Sequence, residues 1–152
     1  MPVEPESPKG NKLRGLIVDD SPLIRLILKR LLSERHYECD EAKDGPEAIA
    51  AFNRHWRERR PYHLICLDYR MPGVDGLGVL THIRDTEAHS GLPHRAEVIM
   101  VTADDARETV TRMIEAGVDG YLLKPVDRAR FQEYSKRKLG KTARGRRSIA
   151  AD

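Results

Sequence analysis

Four short apolar runs, each stopped by a polar residue, constrain this chain more than any other feature. They are Leu16-Ile17-Val18 before Asp19-Asp20, Leu64-Ile65-Cys66-Leu67 before Asp68, Val98-Ile99-Met100-Val101 before Thr102, and Tyr121-Leu122-Leu123 before Lys124-Pro125. Runs of this length suit strands buried on both faces, as in a parallel sheet. Helical patterns separate them, which is the signature of βαβ units. In an open parallel sheet, ligands bind outside the carboxyl ends of the strands. The polar residues that follow the runs are therefore expected to converge, although the chain separates them widely.

The reading gives five strands and five helices from about Lys12 onward. The first helix opens with Ser21 as N-cap and Pro22 at its first position, and Leu23, Ile24, Ile27, Leu28, Leu31 and Leu32 are expected on its inner face. A second strand, Tyr37 to Ala42, ends at the Asp44-Gly45 turn, and a helix from Pro46 to about Glu58 turns Ala48, Ile49, Phe52 and Trp56 inward. The third strand is read as Tyr62 to Leu67. A helix follows from Asp75 to about Thr86, with Leu77, Leu80 and Ile83 toward the core, and then a loop from Glu87 to Arg95. The fourth strand is Glu97 to Val101, and its helix runs from about Asp105 to Ala116, ended by Gly117. The fifth strand is Gly120 to Leu123, and the last helix starts at Asp127 and reaches about Leu139.

At 152 residues the chain holds one ordinary domain plus tails. Residues 1–11, rich in Pro, Glu, Ser and Gly, read as a disordered leader, 12–139 as the domain and 140–152 as a basic flexible tail. No apolar run approaches the roughly 18 residues of a membrane span, and the start lacks the apolar stretch of a secretory signal, so a cytoplasmic location is expected. Cys39 and Cys66 fall inside strands with no metal or redox spacing and read as free, buried thiols. Six histidines show no repeated ligand spacing and read as solvated or packed. The net charge of +3 is concentrated toward the end, where Lys141, Arg144, Arg146 and Arg147 lack interleaved aromatics and read as a solvated tail rather than a nucleic-acid contact.

The convergent set has a chemistry of its own. Carboxylates are hard oxygen ligands, and Asp20 and Asp68 can bind a magnesium ion directly while Asp19 holds a metal-bound water. Three carboxylates together repel unless a cation sits among them. Asp68 can attack phosphorus and form an acyl phosphate. Lys124 then supplies a second cation, Thr102 a hydroxyl donor, and the backbone N–H groups of Arg70 and Ala103 further contacts to the phosphoryl oxygens.

The segments Leu16 to Asp20, Leu67-Asp68-Tyr69-Arg70-Met71-Pro72-Gly73-Val74-Asp75-Gly76, Val101-Thr102-Ala103 and Lys124-Pro125 resemble the receiver domain of bacterial response regulators, over roughly residues 12 to 138. The resemblance implies a flavodoxin-like (βα)5 three-layer α/β sandwich with a five-stranded parallel sheet in the order 2-1-3-4-5. It implies phosphorylation of Asp68 by a histidine kinase or phosphotransfer protein, with Mg2+ or Mn2+ held by Asp19, Asp20, Asp68 and the Arg70 carbonyl. Thr102 matches the switch hydroxyl, Tyr121 the switch aromatic and Lys124 the family's lysine, with a cis bond between Lys124 and Pro125. A phosphoryl group on Asp68 would attract Thr102, Tyr121 would fill the space left, and the surface of the fourth helix, fifth strand and fifth helix would change toward a protein target. Such a chain is no metabolic enzyme; it catalyses only its own phosphorylation and dephosphorylation.

Arg70 and Asp104 stand two positions after Asp68 and Thr102. They can pair across the mouth of the site and shield an acyl phosphate, or stand as two solvated side chains. Two other functions stay open. One is a small phosphatase with Asp68 as transient nucleophile, although the haloacid-dehalogenase type needs a second Asp where this chain has Arg70. The other is a phosphorylation-independent binding module. No phosphate-binding glycine loop follows a strand, which argues against a nucleotide enzyme.

Overall fold

A parallel sheet needs a crossover after every strand, and this chain supplies a helix each time. The computed structural model describes residues 12–143, with side chains through residue 136. Its elements are β1 (Leu13–Val18), α1 (Pro22–Ser33), β2 (Tyr37–Ala42), α2 (Gly45–Arg57), β3 (Leu64–Asp68), α3 (Gly76–Ser90), β4 (Glu97–Thr102), α4 (Arg107–Glu115), β5 (Gly120–Leu123) and α5 (Arg128–Ala143). The strands pair in parallel in the order β2-β1-β3-β4-β5. The expected leader, and the tail from residue 144, lie outside the described residues; α5 itself runs past Leu139 to Ala143.

The period of two along the strands splits the core into two layers. Leu16, Val18, Ile65, Leu67, Val98 and Met100 point to one face, where Phe52 of α2, Leu80 and Ile83 of α3 and Met113 of α4 cover them. Ile17, Cys66, Ile99, Val101 and Leu122 point to the other, under Leu28, Leu31 and Leu32 of α1 and Phe131 and Tyr134 of α5. Each fully buried side chain of this size contributes about 1.5–3 kcal/mol of transfer free energy. The three layers are thus helix, sheet and helix.

Ser21 caps α1 as read from the sequence, its Oγ accepting from the Ile24 N–H. Asp44, read as a turn residue, and Asp75, read as the first helical residue, are also caps, their Oδ1 atoms accepting from the Glu47 and Gly78 N–H groups. Asp127 Oδ1 accepts from the Arg130 N–H. Gly117 closes α4 with φ of 96°, and Gly91 closes α3 with φ of 75°. At Gly45 the approach of α2 to the loop before α3 leaves no room for a side chain, since a Cβ would lie 2.3 Å from the Val74 carbonyl oxygen.

Several boundaries differ from the sequence reading. Leu23 is 64% exposed rather than inward. Preceding Ile24 by about 100° of helical arc, it falls beyond the stripe that meets the sheet. Helix α3 continues to Ser90, through residues read as loop, because Glu87 turns inward and binds Arg84 and the Ala96 N–H. Helix α4 starts at Arg107 instead of Asp105, since Asp104 accepts from the Ala106 N–H and holds the segment before it as a loop. Strand β3 begins at Leu64, not Tyr62, whose hydroxyl instead donates to Asp40 at 2.6 Å. Both cysteines are free; Cys66 is buried and Cys39 half-buried, and burial pushes the Cys39 thiol up to about 11.

Candidate functional site

Register in the sheet decides which strand ends meet. Val18 pairs with Leu67, Asp68 with Val101 and Thr102 with Leu123, so Asp19, Asp68, Thr102 and Lys124 emerge along one edge. Two backbone bonds extend the ladder past the strands, Asp19 N–H to Ala42 O and Lys124 N–H to Thr102 O at 2.8 Å. Asp68 is additionally held by a close turn. A Cβ on Gly76 would lie 2.4 Å from the Asp68 carbonyl oxygen, so only glycine lets the start of α3 pack against the end of β3.

Asp19, Asp20 and Asp68 each place a carboxylate oxygen within 4.8 Å of the others. Asp19 and Asp68 are buried and Asp20 is exposed. Burial, then the neighbouring Asp19 charge, pushes the Asp68 carboxyl up to about 6 against the pull of Lys124, and Asp20 adds to the push. Lys124 Nζ lies 3.0 Å from Asp19 Oδ2 and 3.5 Å from Asp68 Oδ1. Burial alone would lower this ammonium, but the Asp19 bond and the two carboxylate charges outweigh it and raise it. Asp19 Oδ2 is buried, and the ion pair with Lys124 is its one polar contact among the described residues. A buried carboxylate oxygen held by a single ion pair, within an all-oxygen acidic cluster, fits a hard divalent cation.

A cavity of about 490 Å³ opens beside the cluster, lined by Asp68, Arg70, Thr102, Ala103, Asp104 and Lys124. Thr102 is buried, and its Oγ1 accepts from the Asp104 N–H at 3.0 Å, which leaves its own O–H free to donate. Arg70 and Asp104 do pair, Nη2 to Oδ2 at 2.5 Å, across the mouth of this cavity. The Ala106 N–H, then Arg70 and the Thr109 hydroxyl, hold Asp104 below the usual carboxylate range. Lys124-Pro125 is a cis peptide.

Of the residues singled out from sequence, Tyr121 stands apart from both the cavity and the acidic cluster. It lies on the opposite face of β5 from Leu122 and packs half-buried against the layer that includes Met113 of α4. Sequence reasoning passed over Arg25, whose guanidinium donates to the Asp19 carbonyl at 2.8 Å and pairs with Glu41. It also passed over Thr109, which braces Asp104 at 3.0 Å. An exposed-looking arginine and a helix threonine carry no sequence signal for such roles.

The response regulator receiver domain model matches residues 16–136. The chain is 33% identical over 125 residues to chemotaxis protein CheY-3 of Vibrio cholerae, covering 82% of this chain and 89% of that protein. It is 37% identical over 115 residues to transcriptional regulatory protein ResD of Bacillus subtilis, covering 76% of this chain but only 43% of ResD. The chain thus spans less than half the length of that relative. Among solved structures, the CheX-CheY-BeF3-Mg+2 complex from Borrelia burgdorferi matches with a TM-score of 0.71 at 27% identity, covering 82% of this chain and 87% of that one. The receiver domain of NarL from Mycobacterium tuberculosis matches with a TM-score of 0.67 at 31% identity, covering 83% and 94%. No helix among the described residues is long and apolar enough to cross a membrane. With its parallel sheet in the order 2-1-3-4-5, an acidic cluster at one sheet edge and this match over most of its length, the chain belongs to the response regulator receiver family.

Proposed function

We propose that this receiver takes a phosphoryl group onto Asp68 from a phosphohistidine of a histidine kinase or phosphotransfer protein, and signals by a conformational switch to a protein target. The single observation that carries the reading is the placement of Asp68: a buried carboxylate within reach of Lys124, facing a cavity that also holds Thr102 and Ala103. One carboxylate oxygen of Asp68 attacks phosphorus. The P–N bond breaks, its electron pair stays on the imidazole nitrogen, and that nitrogen takes up a proton. Lys124 moves from shared contact with Asp19 and Asp68 onto a phosphoryl oxygen, and the Thr102 O–H and Ala103 N–H donate to the others. Asp19, Asp20, Asp68 and the Arg70 carbonyl would hold Mg2+ or Mn2+, which supplies the positive charge that lets two anions approach. The Borrelia CheY match was solved with BeF3 and magnesium.

Once Thr102 turns to the phosphoryl group, it releases the Asp104 N–H, and Tyr121 moves into the space. The face built by α4, β5 and α5 then differs between the two states, which is the differential contact a switch requires. The Arg70–Asp104 pair lies over the mouth and limits water access to the acyl phosphate.

Incubation with acetyl phosphate and Mg2+ tests the reading. One phosphoryl group per chain, lost with EDTA and in Asp68→Asn, is expected. Sustained turnover of phosphate would instead identify a phosphatase, and labelling that persists in Asp68→Asn would move the acceptor elsewhere.

A further inference from the structure

At the end of the sheet away from Asp68, a second cavity of about 440 Å³ lies between the end of α2 and the segment that joins α3 to β4. Trp56, Pro61, Leu92 and Pro93 give it apolar walls. Trp56 is half-buried, stacked on Phe52 at 5.6 Å and edge-on to His94, so its ring is held in place, while Leu92 is 53% exposed. Arg57 and Arg59 stand at the rim, both exposed. Among the described residues neither forms an ion pair.

The closure of α2 does not explain why residue 59 is an arginine. Arg59 follows the helix in the left-handed region, with φ of 62°; its N–H donates to the Trp56 carbonyl and the Arg60 N–H to the His55 carbonyl. Helices α3 and α4 close on Gly91 and Gly117 with positive φ, and His36 after α1 is of a residue type enriched in that region. An arginine there is strained by its Cβ, and strain of this kind points to a use for the side chain. That side chain lines the cavity.

A held aromatic ring, proline walls and a cationic rim match an acidic, proline-containing segment. Prolines pack on aromatic-lined grooves, and carboxylates form charge-assisted bonds to guanidinium groups. In the polyproline II conformation, with three residues per turn, prolines three positions apart share one side and leave the residues between them to reach the rim. The geometry points to a docking site for an acidic, proline-containing segment of another protein, with its prolines against Trp56 and Leu92 and its carboxylates on Arg57 and Arg59. The site shares no residue with the phosphoryl cavity, so a partner seated there is held in both states of the switch.

Trp56 is the chain's single tryptophan and reports on the site in the intact chain. A peptide of three Pro-Glu-Glu repeats is expected to shift its fluorescence saturably at sub-millimolar concentration. Arg57→Glu/Arg59→Glu should weaken that binding about tenfold and take up the Pro-Lys-Lys counterpart instead, which also shows that the variant is folded. Arg59→Gly should weaken binding yet raise the Tm, because the strain leaves with the guanidinium. No saturable shift, an equal response to Gly-Glu-Glu repeats, or unchanged affinity in the charge-reversed variant would overturn the proposal. A Tm lowered by Arg59→Gly would do so by showing that the side chain serves the fold, and a tighter response to an oligouridylate would do so by assigning the groove to nucleic acid.

Discussion

In Asp68→Asn the buried carboxylate beside Asp19 becomes a neutral amide of nearly the same shape. In the absence of divalent metal, this variant should be more stable than the wild type at neutral pH. The carboxyl is raised from 3.8 to about 6 by folding, through burial first and the Asp19 charge second. The folded state therefore binds this proton more tightly than the unfolded chain. Its contribution favours folding below about pH 4, is lost as pH rises through about 6, and stays lost above. A gap of roughly two pH units at about 1.36 kcal/mol each amounts to at most about 3 kcal/mol. Only 5% of Asp68 is exposed, so solvent screening removes little of that. For a chain of this size, the difference is a shift in Tm of roughly 6–12 °C. Urea denaturation followed by Trp56 fluorescence, in EDTA and at a series of pH values, measures it. The stability of Asp68→Asn minus that of the wild type should grow from near zero at pH 4 to its plateau above pH 6.5. A difference that stays flat across this range, or a variant less stable than the wild type at pH 7, would refute the electrostatic reasoning.

Magnesium should close most of that gap, because a cation bound only by the folded state stabilises it by about 2.7 kcal/mol at a hundredfold excess over Kd; a wild-type Tm unmoved by millimolar Mg2+ would count against the acidic cluster as its site. Arg70→Ala opens the mouth closed by the pair with Asp104, and phosphate release from the labelled protein should accelerate several-fold; equal rates would remove the shielding role. Glu87→Ala removes one of the two carboxylates that hold Arg84, which keeps Asp119, and leaves the buried Ala96 N–H without its acceptor, and should cost about 1–3 kcal/mol in denaturant titration. Gly76→Ala forces a Cβ against the Asp68 carbonyl, and should cost roughly 1–3 kcal/mol and slow acetyl phosphate labelling; an unaltered labelling rate would show that the turn yields without moving Asp68.

Much of this site was legible before any coordinates. Strand β3 is apolar at every position from Leu64 to Leu67 because helices cover both faces, and a strand so buried can place a charged residue only at its end, which locates Asp68. Ser21, Asp44, Asp75 and Asp127 announce helix starts because their side chains bind backbone N–H groups a turn away, an interaction local in sequence. The extension of α3 was not legible. Glu87 looks like a solvated loop residue until Arg84 and the Ala96 N–H are brought to it, and Ala96 is nine residues along the chain. Leu23 looks like its neighbour Ile24 until the sheet defines which arc of α1 is covered.

What the sequence determined by itself is the alternation of strands and helices, the acidic pair, and the order in which Asp68, Thr102 and Lys124 follow buried strands. Those depend on periodicity and local hydrogen bonding, both written in short windows of residues. Tertiary structure alone decided that Lys124 is shared between Asp19 and Asp68, that Asp19 Oδ2 is buried with only that ion pair, and that Asp104 is held by both Arg70 and Thr109. These are distances of a few ångströms between residues as much as 105 positions apart, as with Asp19 and Lys124. Only the register of the parallel sheet sets them.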